Sequence, residues 1–394
     1  MARPKKSRGF TLIELLVVIT IIGMLVSLLL PAIQSAREAG RRNTCSNNMR
    51  QATLGLIQVS ESKRGFPGYV TAIPTGVATP NYIRASWVVS LLPSLERNDL
   101  YDNWQKPNQV MLMQSNPTAY YSPLSILVCP SNANPELGTN PLSYVVNTGI
   151  ANSADDTTTS DNSNTPVPSG AKLINEDVNA GVFFNHSKWD GTLVANGTVT
   201  PAGSAGGKKA SVDFISSNDG TSYTILMSEN LQANGWAIDP RTNLPYTTDM
   251  AVRENTCMVW FLTGNVNNTT PPDATHATLY DPLAMGINDK ADFVVGDIEL
   301  LYDAMLTTQP SGLAFSRPSA NHSGGVIVYF CDNHMRYLSN ELDYKVYTQL
   351  MTPNQKKVNV TPLSSATLAS APSPGWNNPP PFLPSFYILN EADY

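Results

Sequence analysis

The stretch RGFTLIELLVVITIIGMLVSLLLPAIQSAREAGRR, from Arg8 to Arg42, decides how this chain is built. Between Phe10 and Leu30 it holds twenty-one residues and a single ionisable side chain, Glu14. As a helix rising about 1.5 Å per residue, that run is roughly 32 Å long, enough to cross a bilayer core. It is apolar on every face, which suits lipid better than the half-buried surface of a globular domain. Arg3, Lys5, Lys6 and Arg8 precede it with no acid among them, and this basic flank keeps the N-terminus in the cytoplasm. Arg37, Arg41 and Arg42 follow the span and weigh against that orientation, although Glu38 lies among them. A cleaved secretory signal is the alternative. It would have an apolar region of about 7–15 residues and a small-x-small cleavage site, and PAIQSARE offers no convincing one.

A charge at the centre of a membrane helix costs about 2.5–3.5 kcal/mol, and less near an end, where Glu14 lies. Such a carboxylate is either tolerated at the interface or held for a positive partner. The residues around it, Gly9-Phe10-Thr11-Leu12-Ile13-Glu14, resemble the processing site of type IV prepilins and type II secretion pseudopilins. The resemblance implies cleavage after Gly9 by a prepilin peptidase, which also N-methylates the new terminus, Phe10. It implies that Glu14 receives a neighbouring subunit's terminal amine during filament assembly, and that Pro31 is the family's helix-kinking proline. Opposite charges brought together in a low-dielectric medium attract strongly, which agrees with that role. The implied partners are the peptidase/methyltransferase, other pilin-like subunits and the inner membrane. The implied location is a single-pass inner-membrane protein with a periplasmic or cell-surface ectodomain.

Without residues 1–9, the chain carries 21 basic against 31 acidic groups, a formal charge of −10. A nucleic-acid-binding surface would be basic, so that class is set aside. Charged residues are only 14% of the chain. With Asn, Ser, Thr, Gly and Pro abundant, this is the composition of a loop-rich β ectodomain. Beyond the span, Ile33, Ala36, Met49, Ala52, Leu56 and Val59 recur at helical spacing, and Gly65 before Pro67 signals a stop. The expectation is one helix over about 10–62, kinked or not at Pro31, whose second half packs on a sheet. Ser86–Trp104 has helical spacing broken by Pro93. SILVCP, SYVVNTG, AGVFFN, SYTILMSEN, TCMVWFL and GGVIVYFCDNHMRYLS have strand composition. Polar stretches at 151–171, 196–210 and 263–277 read as surface loops, and the tail from Pro362 as proline-rich and extended. The fold class is therefore α+β and pilin-like: a leader at 1–9, a long helix at 10–64, an antiparallel β-rich body with insertions at 65–361, and a tail at 362–394.

A second resemblance covers most of the body. CSNNMRQATLGL, SWVVSLLPSLERNDLY, LVCPSN, DGTSYTILMSE and HSGGVIVYFCDNHMRYL are similar, in order, to a planctomycete-type family of pilin-like proteins, DUF1559. Its hallmark is a histidine, nine residues, then Asp-Gly. Here His322 is followed by nine residues and Asp332-Asn333, with asparagine in place of the glycine. A two-residue hairpin with positive φ at both centres tolerates that exchange. His322 either joins Asp332, Asp219 and Glu229 in a site or fastens the start of the hairpin. Asp219-Gly220 reads as a turn or helix cap rather than a phosphate cradle.

No sequence spacing fits a metal template and no cofactor is expected. Calcium is raised only because some pseudopilins hold it in a C-terminal loop, where Asp332, Asn333 and Asp343 would be the counterparts. Of the four cysteines, none forms a C-x-x-C. The favoured pairs are Cys45–Cys129 and Cys257–Cys331, with buried free thiols as the alternative. Three function classes follow: a structural filament or secretion subunit; a binding module displayed by the helix, for a glycan stacked on some of the six tryptophans; and a membrane-anchored hydrolase, ranked last because no nucleophile or phosphate motif occurs. The first is preferred, and enzymatic activity is not expected.

Overall fold

A computed structural model describes residues 12–74, 82–104, 106, 120–132, 140–151, 178–186, 209–231, 233, 235–237, 246, 249–261, 316, 318–340, 342 and 344–354. Gly9, Phe10, Asp343, Trp189, Trp376, the tail and most of the three polar stretches lie outside these residues.

The first element, α1 (Leu12–Lys63), is one continuous helix with Pro31 inside it. Proline there removes one backbone hydrogen bond but does not end the helix. The two halves of α1 meet different surroundings. Residues from Leu12 to Ile33 are exposed, Leu12 by 78% and Ile33 by 54%. From Cys45 onward, Cys45, Met49, Ala52, Thr53, Leu56, Val59 and Ser60 are buried. Their three- and four-residue intervals put them on one helical face. Ile33 and Ala36 are both exposed, so the packing face begins later than the apolar spacing suggested. The helix closes with Arg64 in the left-handed region (φ 54°) and the Gly65 amide donating back to the Ser60 carbonyl at 2.8 Å.

After α1 come β1 (Val70–Pro74), β2 (Tyr82–Ser86), α2 (Trp87–Leu91), a 3₁₀ turn at Leu92–Leu95 containing Pro93, and α3 (Asn98–Trp104). Next are β3 (Tyr144–Ala151), the two-residue β4 (Asn185–His186), α4 (Val212–Ser216), β5 (Ile225–Glu229), α5 (Asp249–Thr256) and β6 (Cys257–Phe261). The hairpin β7 (Gly325–Phe330) and β8 (Met335–Ser339) precedes α6 (Tyr344–Met351). SILVCP forms short 3₁₀ turns at Ser125–Leu127 and Pro130–Asn132 rather than a strand.

Two sheets result, ordered β2-β1-β4 and β6-β3-β5-β7-β8. The body is α+β with mixed rather than purely antiparallel sheets, because β1–β4 and β3–β6 pair in parallel. In the larger sheet β5 and β7 are buried along their whole length, which accounts for their unbroken apolar runs. Trp87, Trp104 and Trp236 are all fully buried in the core, so none of these three offers an exposed face to stack a sugar.

Close approach of α1 to the body depends on Gly55. A Cβ there would fall 2.6 Å from Leu91 Cδ1 and 3.1 Å from Ser94 Cβ. Glycine inside a helix costs about 1 kcal/mol relative to alanine, so the tight contact is what it serves. Gly55→Val is expected to destabilise the body by about 1–3 kcal/mol through overpacking. Denaturant unfolding of the full chain in detergent micelles checks this, against Leu54→Ala on the exposed face as the near-neutral control.

Candidate functional site

His322 lies just before β7, where the loop is fastened on two sides. The Ser319 amide donates to the Glu229 carbonyl at 3.0 Å, and the Leu231 amide donates to Ser319 Oγ at 2.9 Å. Asn321 Nδ2 donates to the Ser131 carbonyl at 3.0 Å. After the histidine, Gly324 takes φ 88°, and a Cβ on Gly325 would sit 2.0 Å from the Leu338 carbonyl oxygen. The Gly-Gly pair is thus what lets the loop enter the strand beside β8.

The imidazole, its side chain only 1% exposed, bridges two carboxylates from distant parts of the chain. Nδ1 is 2.7 Å from Glu38 Oε1 on α1, and Nε2 is 3.1 Å from Glu229 Oε1 at the end of β5. An ionised carboxylate only accepts, so two of them facing the two ring nitrogens favour the doubly protonated imidazole. Burial alone would lower its pKa. Hydrogen bonds and charges from Glu229 and Glu38 outweigh that and raise it above the ordinary histidine value. The carboxylates are supported in turn. Glu229 Oε2 accepts from the Ile327 amide at 3.0 Å. Ser131 Oγ donates to Glu38 at 3.1 Å. Arg41 lies 3.9 Å from Glu38 on the same helix.

Two of the four cysteines meet at the same place. Cys45 on α1 and Cys129 form a disulfide, and Cys129 Sγ is 3.7 Å from His322 Nε2. Neighbouring contacts complete the junction between α1 and the body. Tyr329 Oη donates to the Ser46 carbonyl at 2.9 Å, Asn48 Nδ2 donates to the Val128 carbonyl at 3.3 Å, and the Arg42 guanidinium stacks 3.4 Å over the Tyr337 ring.

Cys257 and Cys331 are not a pair; both are free and buried. β6 and β7 are separated by two strands. At about 4.8 Å per strand that places them roughly 14 Å apart, twice the Cα separation a disulfide spans. Burial pushes the Cys257 thiol up to about 12 and the Cys331 thiol well above its ordinary value, so both are poor nucleophiles.

Of the partners expected for His322, the structure supplies Glu229; Asp332 and Asp219 are engaged elsewhere. Asp332 accepts from Ser222 Oγ at 2.5 Å and contacts His334 Nδ1 at 2.5 Å. Partial burial would raise its carboxyl, but those hydrogen bonds hold it below the usual carboxylate range. The hairpin is not a two-residue turn. Phe330 and His334 close a three-residue loop in which only Asn333 has positive φ (66°), taking the left-handed position that a glycine would hold. Asp219-Gly220 follows α4: Gly220 (φ 101°) donates its amide to the Ile215 carbonyl at 3.0 Å, a helix-ending turn. Glu14 lies exposed in the first turn of α1 and Pro31 in its exposed half.

Sequence reasoning missed Glu38. In the sequence alone it stands only as an acid among the arginines after the span. Its position seven residues before Cys45, two turns along the same helix face, was the available signal.

A long N-terminal helix, half of it apolar and bare, leading into a compact α+β body defines a pilin-like architecture. Residues 4–30 match the prokaryotic N-terminal methylation motif, which makes this a prepilin-processed, type IV pilin-like chain with a membrane-anchoring helix. Residues 34–345 match the model described as "Protein of unknown function (DUF1559)", and the chain belongs to that family. Comparison with curated proteins and with solved structures gave no match.

Removing Glu229 would strand the imidazolium Nε2 and the Ile327 amide. Glu229→Ala is therefore expected to cost about 3–5 kcal/mol. Glu38, whose side chain is 35% exposed, should cost less when changed to alanine, about 1–3 kcal/mol, because it strands only Nδ1 and its own charge is partly screened by water. Chemical denaturation of the two variants checks the ordering; equal losses would mean that the junction is not governed by the buried carboxylate.

Proposed function

We propose that the chain is a structural subunit that assembles, after prepilin processing, into a membrane-associated filament or secretion apparatus through α1, and that it does not turn over a substrate. The observation that carries this reading is the division of α1. Its second half is consumed by the chain's own core, whereas the apolar stretch from Leu12 to Ile33 is exposed throughout. An apolar face of that size requires another covering, which lipid provides before assembly and other copies of the helix provide within a filament.

Glu14 supports the same reading. Placed among apolar residues near the start of α1, it is costly in lipid alone and well suited to a neighbour's N-terminal amine. The Cys45–Cys129 disulfide supports an ectodomain outside the cytoplasm, since such bonds persist in oxidising compartments. The basic residues before the span support the same orientation. Peptidase cleavage after Gly9 and methylation of Phe10 complete the maturation route.

Two measurements test the reading. Mass spectrometry of the native chain is expected to find an N-terminus at methylated Phe10. Glu14→Gln leaves the span intact but removes the charge. Breaking an ion pair in low dielectric costs about 3–5 kcal/mol, so crosslinked multimers recovered from cells should fall more than tenfold. A terminus at Met1, or undiminished multimers from the variant, contradicts the assignment.

A further inference from the structure

The junction between α1 and the body gathers four metal-type donors from four separate segments. Cys45 Sγ from α1, Cys129 Sγ, a Glu229 carboxylate oxygen from β5 and a ring nitrogen of His322 all lie within 4.8 Å of one another, and all four residues are buried. Two sulfurs, one imidazole and one carboxylate are a donor set for a zinc-class ion, which takes four ligands in a tetrahedron. We propose that the chain in its dithiol state, before the Cys45–Cys129 bond closes, binds one zinc-class divalent cation at these four residues.

The surroundings favour this beyond proximity. Nε2, the nitrogen facing Glu229 Oε1 (3.1 Å) and Cys129 Sγ (3.7 Å), is the ligating one. Bonds of about 2.0–2.3 Å in a tetrahedron set neighbouring donors roughly 3.3–3.8 Å apart, so these two spacings need little adjustment. The cation takes the place of the proton between Nε2 and Oε1. The other nitrogen, Nδ1, meets Glu38 Oε1 at 2.7 Å. That is the carboxylate–histidine–metal relay which orients a ligating imidazole and strengthens it as a donor. Ser131 Oγ holds Glu38 in place, and the Ile327 amide holds the second oxygen of Glu229. Two of the four ligands, His322 and Glu229, are thus positioned by groups outside the inner set.

Cation and disulfide exclude each other, because sulfurs joined to one another are no longer thiolate ligands. The exchange balances. The two thiolates pass two electrons to a disulfide-class oxidant, the S–S bond forms, the oxidant leaves as two thiolates that take protons from water, and the ion departs as a dication. The cation would therefore join α1, the Cys129 loop, β5 and the His322 loop in the same arrangement that the disulfide later makes covalent. Cys257 and Cys331 take no part.

The full chain in detergent micelles, held in a metal-free phosphine reductant, is titrated with Co²⁺ and then Zn²⁺. The expected result is one equivalent of Co²⁺ with a tetrahedral thiolate spectrum, displaced by one equivalent of Zn²⁺, and none for the disulfide-linked chain. The Cys45→Ser, Cys129→Ser double variant should lose the signal although Cys257 and Cys331 remain. Glu38→Gln, altering only the half-exposed partner of Nδ1, should weaken affinity about 10–100-fold. Thermal unfolding of the reduced chain with and without Zn²⁺ covers the case in which reduction loosens the body: binding then appears as a raised transition. Absence of a thiolate–cobalt spectrum together with an unshifted transition would overturn the proposal, as would a spectrum that survives in the double cysteine variant.

Discussion

Everything in this structure depends on one helix being solvated in two ways. The half of α1 that carries Cys45, Met49, Ala52 and Leu56 completes the core of the body, and the half from Leu12 to Ile33 touches none of it. Burying a large aliphatic side chain is worth about 1.5–3 kcal/mol. The lower half therefore supplies enough driving force to fix the helix on the sheet without help from the upper half. That separation leaves the upper half unconstrained by the body, free to satisfy lipid or neighbouring helices alone.

The boundary between the two halves is also where the chain concentrates its polar and covalent ties. Apolar packing fixes a helix face but resists sliding or rotation weakly. The disulfide at Cys45, the Glu38–His322–Glu229 bridge, Tyr329 on the Ser46 carbonyl and Arg42 over Tyr337 act on about two turns of helix. Each is directional, so together they set the rotation of α1 about its axis. For a helix that must present Glu14 on a defined side about nine turns of residues away from its packed end, rotation is the variable that matters.

The parts of the fold legible in the sequence were those with strong local pattern. The Phe10–Leu30 run, the Gly65 stop and the strand runs at 144–151, 225–229 and 325–339 carry periodicity or apolar density that no tertiary contact had to supply. β1 and β2 were missed because VTAIP and YIRAS are short and mixed, and β4 is two residues long. SILVCP looked like a strand from its composition, but its backbone turns in two 3₁₀ segments. The parallel pairing of β3 with β6 joins strands that have β4, α4, β5 and α5 between them in the chain, which composition does not encode.

The site was less legible for a different reason. His322 stood out through its family spacing, but what it does is set by residues 93 and 284 positions away in the sequence. Linear spacing reveals metal or acid–base sets only when one helix or one loop supplies several members, as in a C-x-x-C. Here the members come from four separate segments: Glu38 and Cys45 from two successive turns of α1, Cys129 from a 3₁₀-flanked loop, Glu229 from a strand end, His322 from the loop stapled to that end. The cost of placing a charged imidazole and a carboxylate in a buried position is offset only when every hydrogen-bonding atom is met. Glu229 meets that condition through the Ile327 amide and His322 through Glu38. A histidine that merely opened a hairpin would need neither; this one ties the entrance of β7 and the end of β5 to α1.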